Sequence, residues 1–594
     1  MVKEEQIVDS SKTASKKRWI LRRGDNGLAQ DLERGFALNP VTANILSARG
    51  FSIDDMPTFL DPKLASSLPD PFVMADMKKF SVAITKLILN GEPIGIIGDY
   101  DVDGATSTAL LLRFLKAIKI RHTHYIPDRI DEGYGPSPAA FEHFKQHNIK
   151  HIIAVDCGTT AFEILEEAAN DGFFIHILDH HEPALSLPVC ESIVNPRRFD
   201  DQSGLGHLAA VGVVFMGLVA INRNLREVGY YKSNKITEPQ LMEQLDLVAL
   251  GTVCDVVPLT GLNRAFVSQG LKVMKRRGNI GLKHLCDISG LNEAPQAWHL
   301  GFMLGPRINA GGRVGKSDHG ARLLSTLNEN EAKKLTQELD SFNKQRQSIE
   351  QDILEEAKIQ LNQIKTPQSA IIIGDSQWHS GVVGIIASRI KEQYYKPCLV
   401  WCSDNEGNYV GSGRSIPGVD LGSIILSAVE SGVLIRGGGH SQAAGFTVLP
   451  SKLDEFKEFI NKRVSQYIKN NDIIPELHLD ALISPEAARV SLMEDLEKLA
   501  PFGMANPQPK FVIKVDKLNI VTPVGVDKQH LRCIIDVKGS PNITAMAFRV
   551  AGTELEQTLL QAKGKAVSLV GVLKINQWNG ITAPQIIIED AAIL

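Results

Sequence analysis

Seven cysteines among 594 residues, scattered without framework spacing, exclude a disulfide-stapled scaffold and fit a reducing compartment. Only Cys398 and Cys402 lie close together, and no second pair completes a zinc site around them. Long apolar runs are also missing. The stretch Leu208–Ala220 is too short to span a bilayer and predicts a buried helix. The opening MVKEEQIVDSSKTASKKRWILRR has mixed charge and no apolar core before a small-residue site, so it does not read as a secretory signal. No fixed-period repeat and no low-complexity tract occurs. Cationic excess is absent too: the formal net charge is −4. That rules out a general nucleic-acid coater but not a local phosphate site, because bound cations supply positive potential that a residue count omits.

What is present is an ordinary globular composition, 43% hydrophobic, in a chain long enough for several domains. From residue 76 to about 290, short apolar runs alternate with helical patterns. IGIIGDYD, IIAVDCG and FIHILDHH each read as a buried strand ending in charged or glycine-rich residues. This predicts a parallel sheet covered by helices on both faces, with ligands collecting at the strands' carboxyl ends. From Asn328 to Ile364 the chain is rich in Glu, Lys and Gln, without Gly or Pro, which predicts a long, mostly exposed connecting helix with no chemistry of its own. A second α/β unit follows, with SAIIIGDS and PCLVWCSD as strands and a glycine-rich closing loop, RGGGHSQAAGF. After Ile473 short strands and turn signals predict a small β-barrel. Residues 1 to about 40 carry no usable signal.

The chemistry begins at GDYDVDGATST. Alternation in an extended segment would place Asp99, Asp101 and Asp103 on one side, with Gly104 turning the chain into a helix. Three carboxylates so close raise one another's pKa unless cations neutralise them. A calcium loop is the rival reading, but its twelfth position is Leu110 instead of Glu, and a strand precedes it where a helix should. An exposed acidic turn is the bland one. Asp156 in VDCGTTA and Asp179-His180-His181 in LDHHEP end the next two strands, and Asp255 follows another apolar run. Each alone reads equally well as a cap; together they converge on one sheet edge. An oxygen-rich set with imidazole and no thiolate suits Mn²⁺ or Mg²⁺. Two such ions about 3.5–4 Å apart clamp the attacking and leaving oxygens of a phosphoryl displacement.

The ordered set DYDVDG, IPDRIDEGYG, VDCG, DHH and CDVVPL resembles the DHH phosphoesterase superfamily and, within it, the bacterial single-strand-specific 5′→3′ DNA exonucleases. The likeness continues through FLDPKLASSLPDPFVMADM, GPRINAGGR, WHSGVVGIIASR, GSGRS, RGGGHSQAAGF and PFGMANPQPKF, nearly the whole chain. Its departures are Val102, Gly312 and Ala505, none at a ligand position. The fold it implies is α/β: an N-terminal segment (1–75), a DHH domain (76–327), a connecting helix (328–365), a DHH-associated α/β domain (366–472) and an OB-like β-barrel (473–594).

By that resemblance Asp99, Asp101 and Asp156 would hold one metal, and Asp103, Asp156, His180 and Asp255 the second. Asp179 would orient its neighbour, and His181 would face the scissile phosphate. Ser412, Arg414, His379, the loop Gly437-Gly438-Gly439-His440, and Arg129, Arg307, Asn309 and Arg313 would bind substrate phosphate. Phe502, Phe511, Phe548 and Trp578 are candidates to stack bases, although core packing is the usual fate of a strand Phe. The implied activity releases 5′-mononucleotides from single-stranded DNA in repair and recombination, using two divalent cations, Mn²⁺ or Mg²⁺. The implied setting is cytoplasmic and monomeric, away from membranes, beside a single-strand-binding protein and a RecQ-type helicase. The alternatives are a DHH-type oligoribonuclease or other small-substrate phosphoesterase, and a catalytically silent replication-fork subunit. Ala310–Ser317, AGGRVGKS, mimics a nucleotide phosphate loop, but it follows GPRIN, which reads as turn chemistry rather than a buried strand.

Overall fold

The computed structural model describes residues 3–129, 131–363, 368–470, 473–537, 541–578 and 581–593. The chain forms two compact units: 1–62 with 474–502 and 506–594, and 63–473 with 503–505.

In the first unit β1 (Lys3–Val8) and β2 (Arg18–Arg23) form a hairpin, to which a strand from far along the chain is added below. In the second unit β3 (Ile94–Ile97), β4 (His122–Tyr125), β5 (His151–Val155), β6 (Phe174–Leu178) and β7 (Ser192–Val194) form the expected parallel sheet, in the order β4-β3-β5-β6-β7. The two faces are read by alternation. Ile94, Ile96, Ile153 and Val155 enter a core with the helices Met77–Asn90, Val102–Ala117 and Ala210–Glu227. Ile97, Ile152 and Ala154 face the helices Pro138–Gln146 and Phe162–Asn170. From β3 the chain steps to β4 on one side and then crosses to β5 on the other. This reversal opens a crevice beyond the carboxyl ends of β3 and β5, where such sheets bind ligands.

The Glu329–Gln363 helix runs unbroken for 35 residues, as its lack of Gly and Pro predicts. It is not merely a solvated connector: Leu335, Leu339, Ile353, Asp340, Asn343 and Glu350 are buried along it. Beyond it β8 (Ile371–Gly374), β9 (Cys398–Ser403), β10 (Tyr409–Arg414), β11 (Arg436–His440) and β12 (Ala443–Val448) form a mixed sheet, ordered β11-β12-β10-β9-β8. The segment expected to be a glycine-rich loop is therefore strand, because its glycines let β11 and β12 pair closely: a Cβ on Gly439 would meet Ala443 O at 2.3 Å. Cys398 and Cys402 are free and buried in β9.

Back in the first unit, β13 (Glu476–Leu479) pairs in parallel with β2, so the segment that gave no sequence signal is tied to residues some 450 positions away. Trp19 is fully buried there and its indole N–H donates to Asp590 Oδ2 at 2.8 Å. β14 (Ala481–Ile483), β15 (Phe511–Val515), β16 (Leu518–Val524), β17 (His530–Ile535), β18 (Ile543–Ala547), β19 (Val567–Trp578) and β20 (Ile581–Ile593) make one sheet, ordered β14-β15-β19-β20-β18-β17-β16. The expected barrel is open among the described residues: its two outer strands, β14 and β16, do not pair. No helix among the described residues is long and apolar enough to cross a membrane.

Candidate metal centre

The acidic run does not continue the strand. Asp99 follows β3, Asp101 is the N-cap of the Val102–Ala117 helix with Oδ1 accepting from Gly104 N at 3.0 Å, and Asp103 lies in its first turn. A tight helical start, not extended alternation, gathers the three. Gly104 is needed for approach: a Cβ there would meet Asp99 O at 2.4 Å. Asp103 accepts from the amides of Ala210 and Val211 at 2.6 and 2.9 Å, capping another helix that has no cap of its own. Asp156 follows β5 with φ +60°, a left-handed conformation that is uncommon outside glycine, and its amide donates to Leu178 O at 3.0 Å. Asp255 arrives at the C-cap of the Leu245–Cys254 helix, not at a strand end.

These side chains meet. Ligand atoms of Asp99, Asp101 and Asp156 lie within 4.8 Å of one another, as do those of Asp103, His180 and Asp255, and those of Asp156, His180 and His181. His180 Nε2 sits 3.4 Å from Asp156 Oδ1, 3.5 Å from Asp255 Oδ2 and 3.9 Å from Asp103 Oδ2. Two unit charges 4 Å apart repel by about 4 kcal/mol in a protein-like medium, so five clustered carboxylates cannot all ionise alone. Burial and then their neighbours' charges push Asp99, Asp103 and Asp156 well above the usual carboxylate range, and Asp255 up to about 7. Burial and His181 pull His180 down to about 4, leaving it neutral with a lone pair to give. Asp99 Oδ1, Asp156 Oδ1 and Asp255 Oδ2 are buried without a hydrogen-bond partner. Orphaned oxygens facing one another fit hard divalent cations.

Asp179 is placed differently from expectation. Its Oδ1 accepts from His181 Nδ1 at 2.8 Å and from the His180 amide at 2.7 Å, while Oδ2 accepts from Thr159 N at 3.2 Å. It therefore orients the ring of His181, not that of His180. Burial alone would raise Asp179; the hydrogen bond and charge of His181 outweigh it and hold the carboxyl well below its usual range. For His181 burial lowers the pKa, and Asp179, Asp255 and Asp99 together raise it above the ordinary value. Asn195, which the sequence reading missed, donates to His181 O at 2.8 Å and Thr159 Oγ1 at 3.1 Å, bracing the same turn.

A cationic group flanks the carboxylates. Arg129 lies over the Tyr100 ring, 5.1 Å from its centre. Arg313 donates to Gly381 O at 2.8 Å, and Arg414 to Ser412 Oγ at 2.7 Å. Burial, then the charges of Arg129 and Arg346, pull Arg313 down to about 10, the mark of several cations held near one another. Gly384 leaves room for them, since a Cβ there would meet Arg414 Nη2 at 3.1 Å. Ser412 pairs with Gly445 and that with Gly438, while Arg414 pairs with Ala443 and that with His440. This register puts Ser412, Arg414 and His440 on one sheet face with glycines between. His379 caps the Ser380–Tyr394 helix, its Nδ1 accepting from Gly381 N. Arg307 is not in the group: it is paired with Asp340 at 2.9 Å. Asn309 Oδ1 is buried and unpartnered. Arg346 of the charge-rich helix is paired as Arg307 is, with Glu350 at 2.6 Å. The nucleotide-loop mimic stays excluded for a corrected reason: Gly305–Val314 is helix, so its amides are already bonded.

Among the aromatic candidates, Phe511 is fully buried, Phe502 packs on the same core, and the Trp578 side chain lies outside the described residues. Phe548 is 50% exposed and packs edge-on against His530.

The chain matches family models for the DHH family N-terminal domain (93–252), the DHHA1 domain (367–466) and the RecJ OB domain (479–590). It is 34% identical over 584 residues to the single-stranded-DNA-specific exonuclease RecJ of Bacillus subtilis, covering 98% of this chain and 71% of that protein. The chain belongs to the RecJ family. RecJ of Escherichia coli is 33% identical over 84% of this chain and 87% of its own. The crystal structure of RecJ from Thermus thermophilus in complex with Mn²⁺ superposes with a TM-score of 0.78 at 28% identity, covering 96% of this chain and 78% of that one. A manganese-bound exonuclease RecJ covers 67% of this chain and 97% of its own at 30% identity, with a TM-score of 0.56.

Proposed function

We propose that this RecJ-family chain is a single-strand-specific DNA exonuclease that hydrolyses phosphodiesters in the 5′→3′ direction and releases 5′-mononucleotides. The carrying observation is the set of buried, unpartnered carboxylate oxygens gathered beside neutral His180 where the parallel sheet reverses its strand order. Asp99, Asp101 and Asp156 would hold one Mn²⁺ or Mg²⁺, and Asp103, Asp156, His180 and Asp255 the other. When bound, such a pair supplies Lewis acidity and a nucleophilic water at neutral pH.

The rest is work for the chain's own side chains. Ser412, Arg414 and Arg313, with Arg129, grip the terminal phosphate and fix which bond lies at the carboxylates. His181, held by Asp179 and half open to solvent, donates its free ring N–H to a phosphate oxygen as charge builds there. Base identity matters little to such a grip. The β unit carrying Phe548 extends it along the strand. We assign 76–327 to the catalytic domain, 366–472 to terminal-phosphate binding and 473–594 to strand binding, with 328–365 as the segment that connects the first two, of which Glu329–Gln363 is helix and 364–365 lie outside the described residues. Family membership supports a cytoplasmic monomer acting with a single-strand-binding protein and a RecQ-type helicase.

The test is nucleotide release from long 5′-phosphorylated single strands with Mn²⁺ or Mg²⁺, beside Asp156→Ala. Mononucleotides should appear with the native chain and not with the variant. Activity confined to di- and trinucleotides would point to an oligoribonuclease, and none on either substrate to a silent fork subunit.

A further inference from the structure

One side chain touches the centre from outside its ligand set. Tyr134 stands between Gly133 and Gly135, both in the left-handed region at φ +86° and +85°. The loop around it is built, not loose. Glu132 accepts from Tyr125 Oη and Asp128 N, each at 2.9 Å, and from Ser137 Oγ. The glycines then throw the Tyr134 side chain toward the ends of β5 and β6. Its hydroxyl donates to Asp156 O at 2.9 Å and lies 3.1 and 3.3 Å from the two ring nitrogens of His181, against the edge between them. The rings meet edge to face with centres 5.5 Å apart.

The position matters because Asp156 is doubly exposed to error. It takes part in two of the three donor groups, and its backbone holds a conformation that costs a non-glycine residue about 1–3 kcal/mol. Such strain persists only where neighbours over-determine it. The Asp156 amide is fixed by Leu178 O, and the Tyr134 hydroxyl fixes the carbonyl. Without that second bond the peptide after Asp156 is free to rotate toward an ordinary φ, carrying the carboxylate out of both groups. The one hydroxyl proton is spent on the carbonyl, so the oxygen donates nothing to His181; it rests against the ring edge while Nδ1–H goes to Asp179 and Nε2 stays free.

We propose that Tyr134 is a positioning residue of the metal centre, its hydroxyl locking the left-handed Asp156 peptide and the His181 ring in one contact. The inference rests on the two-cation reading above. In the full chain, Tyr134→Phe keeps the ring and removes only the donor. Calorimetric Mn²⁺ titration without substrate should show affinity weakened about threefold to tenfold, the worth of one such bond. Turnover of a 5′-phosphorylated oligodeoxythymidine should fall about tenfold in kcat with KM within about twofold, since phosphate is gripped elsewhere. The metal-free thermal midpoint should stay put. Native Mn²⁺ affinity and kcat in the variant would overturn the proposal. So would a lowered metal-free midpoint with native Mn²⁺ affinity, the mark of a scaffold residue. The native chain and Asp156→Ala run alongside: if the native chain itself binds no Mn²⁺, the metal-centre reading has failed instead.

Discussion

At the scale of single residues, the centre is a store of like charge that only cations relieve. Asp255 sits at about 7, and Asp99, Asp103 and Asp156 are all displaced upward by burial and by one another. A carboxyl whose folded pKa lies above its unfolded value of 3.8 favours the fold while protonated. That contribution is complete at low pH and is lost as pH climbs through the folded value. The metal-free protein should therefore lose thermal stability as pH rises from about 4 to about 7, where most carboxylate-rich proteins do not. Mn²⁺ competes with those protons, so the rise in midpoint it produces should grow over the same interval. Differential scanning fluorimetry with and without Mn²⁺ at each pH reads both. A metal-free midpoint that is flat or rising with pH would mean the carboxylates are already satisfied, and the centre would not be a cation site.

At the scale of elements, legibility followed the source of each signal. β3, β5 and β6 were plain because strands buried on both faces are written as apolar runs, and the residues just beyond them were the candidates for the site. What failed was local geometry that apolar patterning does not encode. Asp101 reads as one of three alternating strand residues but caps a helix; RGGGH reads as a loop but is an edge strand. The pairing of β2 with β13 left no trace in residues 1–40 because its partner lies across the chain. The long helix misled most. Its inner face is lined partly by Asp340, Asn343 and Glu350, which count as polar in any periodicity, so the pattern reads as mostly exposed. Glu350 is buried and accepts from Arg346 at 2.6 Å, and it pairs with Arg389 across the interface with the Ser380–Tyr394 helix. Removing a buried carboxylate strands the largely buried Arg346, at about 3 kcal/mol. Glu350→Ala should accordingly lower the urea midpoint, with Glu350→Gln intermediate because it keeps a hydrogen bond. Equal, small effects from both would return the helix to the role of a passive connector.

At the scale of the whole molecule, a net charge of −4 has to coexist with a polyanionic substrate. The arrangement of charge allows it: Arg129, Arg313 and Arg414 flank the carboxylates, where by the proposal above a terminal phosphate would sit, and cations at the carboxylates would invert the sign of the most acidic region. On that proposal two kinds of contact would share the substrate. The arginines would hold one phosphate, which a dinucleotide supplies as well as a long strand does. The β unit would add only what a long strand offers, and Phe548 is its candidate contact, half exposed beside His530 just past the end of β18. Base stacking on an aromatic is worth about 1–3 kcal/mol. Phe548→Ala should thus raise KM for a long single strand by about tenfold while leaving nucleotide release from a 5′-phosphorylated dinucleotide unchanged. Raising salt should weaken the long substrate more steeply than the short one, because more phosphates are in contact. If the variant slows both substrates equally, Phe548 serves the fold of its own unit. If it slows neither, the β unit does not grip the strand through this face, and the length dependence must come from the arginine cluster alone.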